Sequence, residues 1–117
     1  MRRVALLLAV AVAGLTLTAT ASPATQKLTG TVGPGFTITL TKGGKKVTTL
    51  KAGKYTIAVA DKSSIHNFDL KGPGVRKQIT SVPFMGKKTV TLTLKKGKYT
   101  YVCDPHASSM RGSFRVR

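Results

Sequence analysis

Short stretches in which apolar residues alternate with threonine restrict the fold of this chain more than any other feature of its sequence. Segments 36–40 (FTITL) and 90–94 (VTLTL) show the alternation most clearly, and segments 55–59 and 114–116 repeat it more briefly. A period of two places one face of a strand in a core and the other face in solvent. Glycine-containing turns such as KGG, KAGK and KKGK separate the stretches. The pattern predicts an all-β, antiparallel sandwich or barrel of about seven or eight strands.

The start of the chain has the pattern of a cleaved export signal. Two arginines precede an apolar run over residues 4–17, which is shorter than the ~20 residues that a bilayer core requires. Small residues favour cleavage after Ala21, with Ala24 as the alternative site. We therefore expect residues 1–21 to be a signal peptide and residues 22–117 to be one exported domain, located in the periplasm or outside the cell and without a membrane span.

The composition is strongly basic, with 20 lysines and arginines against three acidic residues and a formal net charge of +17. Such a charge attracts acidic partners, polyanions or anionic surfaces. Lysines at strand ends also block edge-to-edge pairing, so part of the charge has a simpler explanation. No nucleic-acid-binding motif accompanies it, and we expect an acidic protein partner rather than nucleic acid.

One segment of the sequence is echoed. LKAGKYTI at 50–57 is similar to LKKGKYTY at 94–101. Two copies are too few for a repeat protein. Each copy predicts a strand end, a glycine turn and a rising strand, followed by a loop with a candidate ligand: His66 lies 11 residues after Tyr55, and Cys103 lies four residues after Tyr99.

Segment 101–110 (YVCDPHASSM) contains the only cysteine, Cys103, with His106 and Met110. Thiolate, thioether and imidazole ligands together select copper, and two histidines, one cysteine and a distant methionine form the blue-copper type of site. His66, the other histidine of the chain, completes that set. Singly, such residues are more often an unpaired thiol, a polar side chain or core packing. Jointly, their order and spacing predict a copper site.

With these residues the chain resembles the small blue-copper proteins, the cupredoxins of the plastocyanin, pseudoazurin and amicyanin group. The resemblance covers residues 29–117 and depends on His66-Asn67, on the segment YTYVCDPH and on Met110 before GSFRV. It implies an eight-stranded Greek-key β-sandwich. It also implies one type 1 copper ion, with three equatorial ligands and one axial ligand: His66, Cys103 and His106 in the plane, and Met110 on the axis.

Three further residues near these ligands have expected roles, the first of which is implied by the resemblance. Asn67 would form hydrogen bonds between the two ligand-bearing loops, near the cysteine sulfur. Pro105 fixes φ in the turn after the cysteine. Asp104 stands where the family usually has a neutral serine or threonine, and its carboxylate should favour Cu(II) and lower the reduction potential. The three-residue gap between His106 and Met110 lies between those of amicyanin-like and plastocyanin-like loops.

The expected function is one-electron transfer by Cu(II)/Cu(I) cycling, without enzymatic activity, because the chain offers no obvious spare acid, base or open site. The resemblance implies that His106 is the ligand nearest the surface and the port for the electron. A monomer would meet its acidic redox partner transiently. Met85 is expected to pack in the core or in a surface patch. The candidate docking residues are Pro34, Pro83, Phe84, Lys87 and Lys88.

Two alternatives stay open at this point. The same ligands could hold copper for carriage or buffering outside the cytoplasm. A metal-free sandwich could instead serve adhesion or polyanion binding.

Overall fold

The computed structural model describes residues 9–17 and 24–117. The beginning of the expected signal peptide and its expected cleavage site after Ala21 lie outside these residues. Residues 9–17 have no regular secondary structure. No helix in the described part of the chain is long and apolar enough to cross a membrane.

The described residues form ten strands and one turn of 3₁₀ helix at Asp104–His106. The strands are β1 (Gln26–Val32), β2 (Ile38–Lys42), β3 (Lys45–Lys46), β4 (Thr49–Leu50), β5 (Gly53–Asp61), β6 (Phe68–Gly72), β7 (Val75–Thr80), β8 (Gly86–Leu94), β9 (Gly97–Val102) and β10 (Arg111–Val116). Strands β3 and β4 have only two residues each, so the predicted seven or eight strands correspond to the longer ones.

The strands form two five-stranded sheets, in the orders β3-β2-β1-β5-β8 and β4-β10-β9-β6-β7. The predicted all-β sandwich is therefore confirmed. A wholly antiparallel arrangement is wrong, because β1 pairs with β5, and β4 with β10, in parallel. Parallel neighbours need a connection that crosses between the sheets, and local alternation carries no information about such a crossing.

The core lies between the sheets and follows the alternation of the strands. In β5, Tyr55, Ile57 and Val59 are buried while Thr56 and Ala58 face outward. Burying one such apolar side chain contributes roughly 1.5–3 kcal/mol, which makes this inner face the main source of stability. The alternation predicted at 36–40 begins only at Ile38, because Phe36 lies in the preceding loop with 62% of its surface exposed.

The loops and turns of the sandwich lie at two opposite ends. Strands β1, β5 and β9 run toward one end, which we call the loop end and which carries segments 33–37, 62–67, 81–85 and 104–109. Segments 42–45, 51–54 and 95–98 lie at the opposite end, which we call the turn end.

Two buried tyrosines secure the turn end. The Tyr55 hydroxyl donates to the carbonyl of Lys51 at 2.7 Å, and the Tyr99 hydroxyl donates to the carbonyl of Lys95 at 2.8 Å. A tyrosine that bonds back to the backbone a few residues upstream is the tyrosine corner of Greek-key sandwiches. The sequence echo is thus a pair of such corners.

Candidate metal centre

Two segments of the loop end bring three metal-binding side chains together. His66 comes from the loop between β5 and β6, whereas Cys103 directly follows β9 and His106 lies in the 3₁₀ turn. The two Nδ1 atoms are 3.1 Å apart, and the Cys103 Sγ lies 3.7 Å from that of His66 and 3.6 Å from that of His106. Three electron-pair donors thus converge on one point.

The triangle of donors has the size that a transition-metal ion needs. With these sides, the point equidistant from all three atoms lies about 2 Å from each, close to the ~2.0–2.3 Å that metals keep from imidazole nitrogen and thiolate sulfur. Soft thiolate and borderline imidazole together favour copper over oxygen-seeking cations. The residues therefore fit the predicted metal in both size and chemistry.

The three donor residues differ in solvent exposure. His66 and Cys103 are fully buried, whereas His106 is half-buried. Met110, the predicted axial ligand, is also fully buried, and its backbone closes the loop: its N–H donates to the His106 carbonyl at 2.8 Å, and its carbonyl accepts from the Cys103 N–H at 3.0 Å. The three-residue gap is therefore accommodated within a closed loop that holds both Cys103 and Met110.

A hydrogen-bonded clamp joins the two loops that carry the donors. The Asn67 Oδ1 accepts from the Asp104 backbone N–H at 2.7 Å, and the Asn67 Nδ2 donates to the Asp104 carboxylate at 2.8 Å. The same amide nitrogen donates to the Gln78 Oε1 at 3.3 Å. Because Asn67 follows His66 and Asp104 follows Cys103, the clamp fixes the separation of the two metal-binding segments.

Asp104 belongs to a small charge network on the outer face of the second sheet. Lys71 lies 3.6 Å from both Asp104 and Asp69. Burial raises the pKa of Asp104, but the contacts with Asn67, Asp69 and Lys71 outweigh it and hold that pKa below its ordinary value. Burial and the neighbouring Asp104 raise the pKa of Asp69 instead. The lowered pKa of Asp104 favours a negative charge on the residue directly after the donor cysteine.

Phe36 contacts both histidines of the site, which the sequence patterns did not predict. Its ring stands edge-on to both imidazoles, with centroids 5.3 Å from His66 and 5.0 Å from His106. The alternation of segment 36–40 suggested a strand position for this residue. An apolar residue in a glycine- and proline-containing loop before a strand was the only available sign of its actual place.

The candidate docking residues all lie at or beside the loop end. Pro34, Pro83, Lys87 and Lys88 are exposed and Phe84 is half-buried. The Lys88 Nζ lies 4.6 Å from the centre of the Phe84 ring. Met85, predicted to pack in the core or in a surface patch, is 59% exposed and thus belongs to the surface. Pro105 is the second residue of the 3₁₀ turn, within the first helical turn, where its fixed φ and missing N–H are tolerated.

A Greek-key β-sandwich that gathers two imidazoles, one thiolate and a buried methionine at one end defines the cupredoxin class of copper proteins. The profile of the family "Copper binding proteins, plastocyanin/azurin family" matches residues 31–117. The chain belongs to this family. The predicted cofactor, one type 1 copper ion, is confirmed by this membership together with the donor set.

Solved structures of rusticyanin have a similar fold. Reduced rusticyanin at 1.9 Å is 26% identical, with a TM-score of 0.58 over 83% of this chain and 82% of that one. A structure of substituted rusticyanin is also 26% identical, with a TM-score of 0.57 over 83% and 80% of the two chains. Rusticyanin from Thiobacillus ferrooxidans, at 24% identity and a TM-score of 0.52 over 82% and 79%, supports the fold alone. No curated protein matches the sequence.

Proposed function

We propose that this protein is an exported blue-copper protein that carries single electrons between redox partners. Copper supplies the chemistry when bound, by alternating between Cu(II) and Cu(I). The observation that supports the proposal is the convergence of three donors, two of them fully buried, within 3.1–3.7 Å of one another. We include the absence of catalytic activity in the proposal, because both histidines and the only cysteine are committed to this one point.

The protein's contribution is to hold its donors still. Cys103 is fixed by a backbone bond to Met110, and the Asn67–Asp104 clamp fixes the loop of His66 against it. Donors held by surrounding bonds in this way change little between two charge states of a bound ion, and fixed polar groups cost no reorganisation when charge moves. We further propose that Met110 is the axial ligand, since it is buried at the end of the same loop.

The exposed side of the site is the proposed port. His106 is half-buried, and exposed Phe36, Ile65 and Pro105 lie on the same loop end. A small apolar surface suits the brief contacts of electron-transfer partners. We propose that an acidic partner docks here as a transient complex with the monomer, with Lys87 and Lys88 at the edge of the surface. Its association should slow as salt screens these charges.

Export is part of the proposal and is supported by the leader pattern of residues 1–21. N-terminal sequencing of the protein recovered from outside the cytoplasm tests it. The expected new N-terminus is Ser22, or Thr25 if cleavage follows Ala24. Recovery of the intact chain from the cytoplasm alone would contradict export.

A spectrum and a transfer assay together test the central proposal. The copper-loaded protein should be intensely blue and should exchange electrons rapidly with its own reduced form. Copper carriage predicts instead a fast loss of the ion to an acceptor apoprotein. The complete burial of His66, Cys103 and Met110 opposes such a loss, because release would require the loop end to open. A colourless copper-loaded protein, or handover faster than electron exchange, would overturn the proposal.

Asp104 should tune the reduction potential. Its carboxylate carries negative charge directly after Cys103 and should stabilise the more positive oxidation state of a bound ion. Asp104→Ser should therefore raise the midpoint potential, measured by redox titration. Asp104→Asn keeps a side-chain oxygen for Asn67 but not the charge, and it should shift the potential in the same direction. An unchanged midpoint in both variants would show that the charge has no such effect.

A further inference from the structure

The lysines are distributed very unevenly between the two ends of the sandwich. Segments 42–45, 51–54 and 95–98, which form the turn end, carry seven lysines and no acidic residue, and all seven are exposed. The loop-end segments 33–37, 62–67, 81–85 and 104–109 carry one lysine, Lys62, and one carboxylate, Asp104. The turn-end segments thus carry more positive charge than the loop-end segments, even when Lys87 and Lys88 beside the loop end are included.

The fold places two of the turn-end segments side by side and the third at the same end of the first sheet. Gly53 pairs with Leu94, so segment 51–54 lies beside segment 95–98. The Lys95 Nζ reaches the β6–β7 turn, where it would lie 3.9 Å from a Cβ added at Gly74, and the Lys42–Lys45 pair closes the β2–β3 turn in the first sheet. Among the described residues, ion pairs form only at Lys71. The seven lysines therefore have no carboxylate to neutralise them.

Nothing at the turn end resembles an anchor for a protein or for the bases of a single-stranded nucleic acid. Within residues 24–117, the large apolar side chains that are exposed are Phe36, Ile65 and Met85, and all three belong to the loop end. Protein interfaces depend on apolar or aromatic anchors, and single-stranded nucleic acids are held by stacking on aromatic rings. Exposed lysines without such anchors suit a surface with dense negative charge that requires no fixed orientation, such as an anionic lipid membrane. Each lysine near such a membrane contributes about 1 kcal/mol to the binding free energy.

We propose that the turn end is a docking surface for anionic phospholipid membranes. Docked in this way, the protein presents His106 and the apolar loop end away from the lipid, because β1, β5 and β9 all run from the turn end to the loop end. Binding is reversible and electrostatic, since lysines without an inserted apolar group do not anchor a protein permanently. The inference does not depend on electron transfer and can fail or hold separately from it.

Vesicle binding by charge variants of residues 22–117, the chain that remains after the proposed cleavage and that contains both sheets, tests the proposal. The turn-end variant is Lys95→Gln/Lys96→Gln/Lys98→Gln, and the matched control is Lys62→Gln/Lys87→Gln/Lys88→Gln, which removes the same charge near the loop end. With vesicles of phosphatidylglycerol and phosphatidylcholine, the turn-end variant should lose about 100-fold in affinity and the control less than about 3-fold.

Further measurements guard against misinterpretation. An unchanged blue spectrum and melting temperature should show that the turn-end variant is folded. Raising the salt concentration should release the unmodified chain from the vesicles. The proposal is overturned if both variants lose affinity equally, if pure phosphatidylcholine vesicles bind equally well, or if a soluble polyphosphate binds more tightly per phosphate than the anionic vesicles.

Discussion

The two tyrosine corners of this protein are built alike but lead to different ends. In both, a glycine at positive φ is followed two residues later by a buried tyrosine, whose hydroxyl bonds to the carbonyl four residues upstream. The strand after the first corner, β5, continues into the core at Val59. The strand after the second, β9, reaches the donor thiol Cys103 at the same distance from its tyrosine. The corner is therefore a structural device, and the chemistry depends on the residue to which its strand leads.

Substitutions at the two equivalent positions, Val59 and Cys103, should differ most in their effects on stability and on the copper spectrum. Cys103→Ser removes the thiolate and should abolish the blue absorption of the copper-loaded protein completely, while circular dichroism shows an intact β-fold. Val59→Thr places a hydroxyl in the core without a partner and should lower the free energy of unfolding by about 1–3 kcal/mol while the blue absorption persists. If Val59→Thr removed the colour, or Cys103→Ser retained it, the two positions would not divide structure from chemistry in this way.

Alanine substitutions of the two corner glycines should show the next largest difference, in the free energy of unfolding. Gly53 and Gly97 have φ of +156° and +144°, so alanine is strained at either position, at a cost of about 1–3 kcal/mol. An added Cβ at Gly97 would also meet the Pro73 Cγ at 2.5 Å, whereas nothing lies within 4 Å at Gly53. Denaturant unfolding should therefore show Gly97→Ala to be the more destabilising by about 1 kcal/mol or more. Equal losses would mean that the Pro73 turn moves aside freely.

Removing either tyrosine hydroxyl should have a smaller effect. Tyr55→Phe and Tyr99→Phe each delete one hydrogen bond to a carbonyl, at a cost of about 1 kcal/mol in the free energy of unfolding. The Tyr99 hydroxyl also lies 3.4 Å from the Pro73 carbonyl, so its loss should cost slightly more. Neither change should alter the copper spectrum, and a shifted spectrum in Tyr99→Phe alone would show that the second corner positions the metal loop.

The smallest effect should be seen only at high pH. Burial raises the pKa of Tyr55 and of Tyr99 above the ordinary value of 10.0, against a weaker opposite effect of the backbone contact. Above about pH 10 the unfolded chain therefore loses tyrosine protons that the folded chain retains, and the free energy of unfolding falls as pH rises. Unfolding followed by tyrosinate absorbance should show this decline, and Tyr55→Phe/Tyr99→Phe should make it shallower. If the free energy of unfolding fell equally steeply with pH in the double variant, the decline would be due to groups other than these two tyrosines.

Local patterns were sufficient for the class of fold and for the donors of the site. Alternation reports which face of a strand is buried, and Cys103, His106 and Met110 are close in sequence, so their proximity followed from one loop. The parallel pairing of β1 with β5 was not predictable, because it depends on how the chain crosses between sheets. Phe36 was assigned to a strand for a related reason: alternation does not show where a strand begins.

The concentration of lysines at one end was also beyond the sequence patterns. The sequence placed most lysines in glycine turns and beside strand ends, as the structure does. Which end of the sandwich each turn occupies depends on strand order and direction, which are set by contacts between distant residues. The resemblance implied that Asn67 joins the two ligand-bearing loops, but its partner Asp104, 37 residues away in the chain, was not predicted.

Cys103 comes late in the sequence, and this determines when the complete set of metal-binding side chains first exists during biosynthesis. His66 emerges from the ribosome 37 residues before Cys103. In the folded domain, the loop that comes after the cysteine is closed by backbone bonds next to the pairing of β10 with β9. A growing chain therefore offers scattered, weak ligands, and the complete set exists only after β10 has been made and the sandwich has folded.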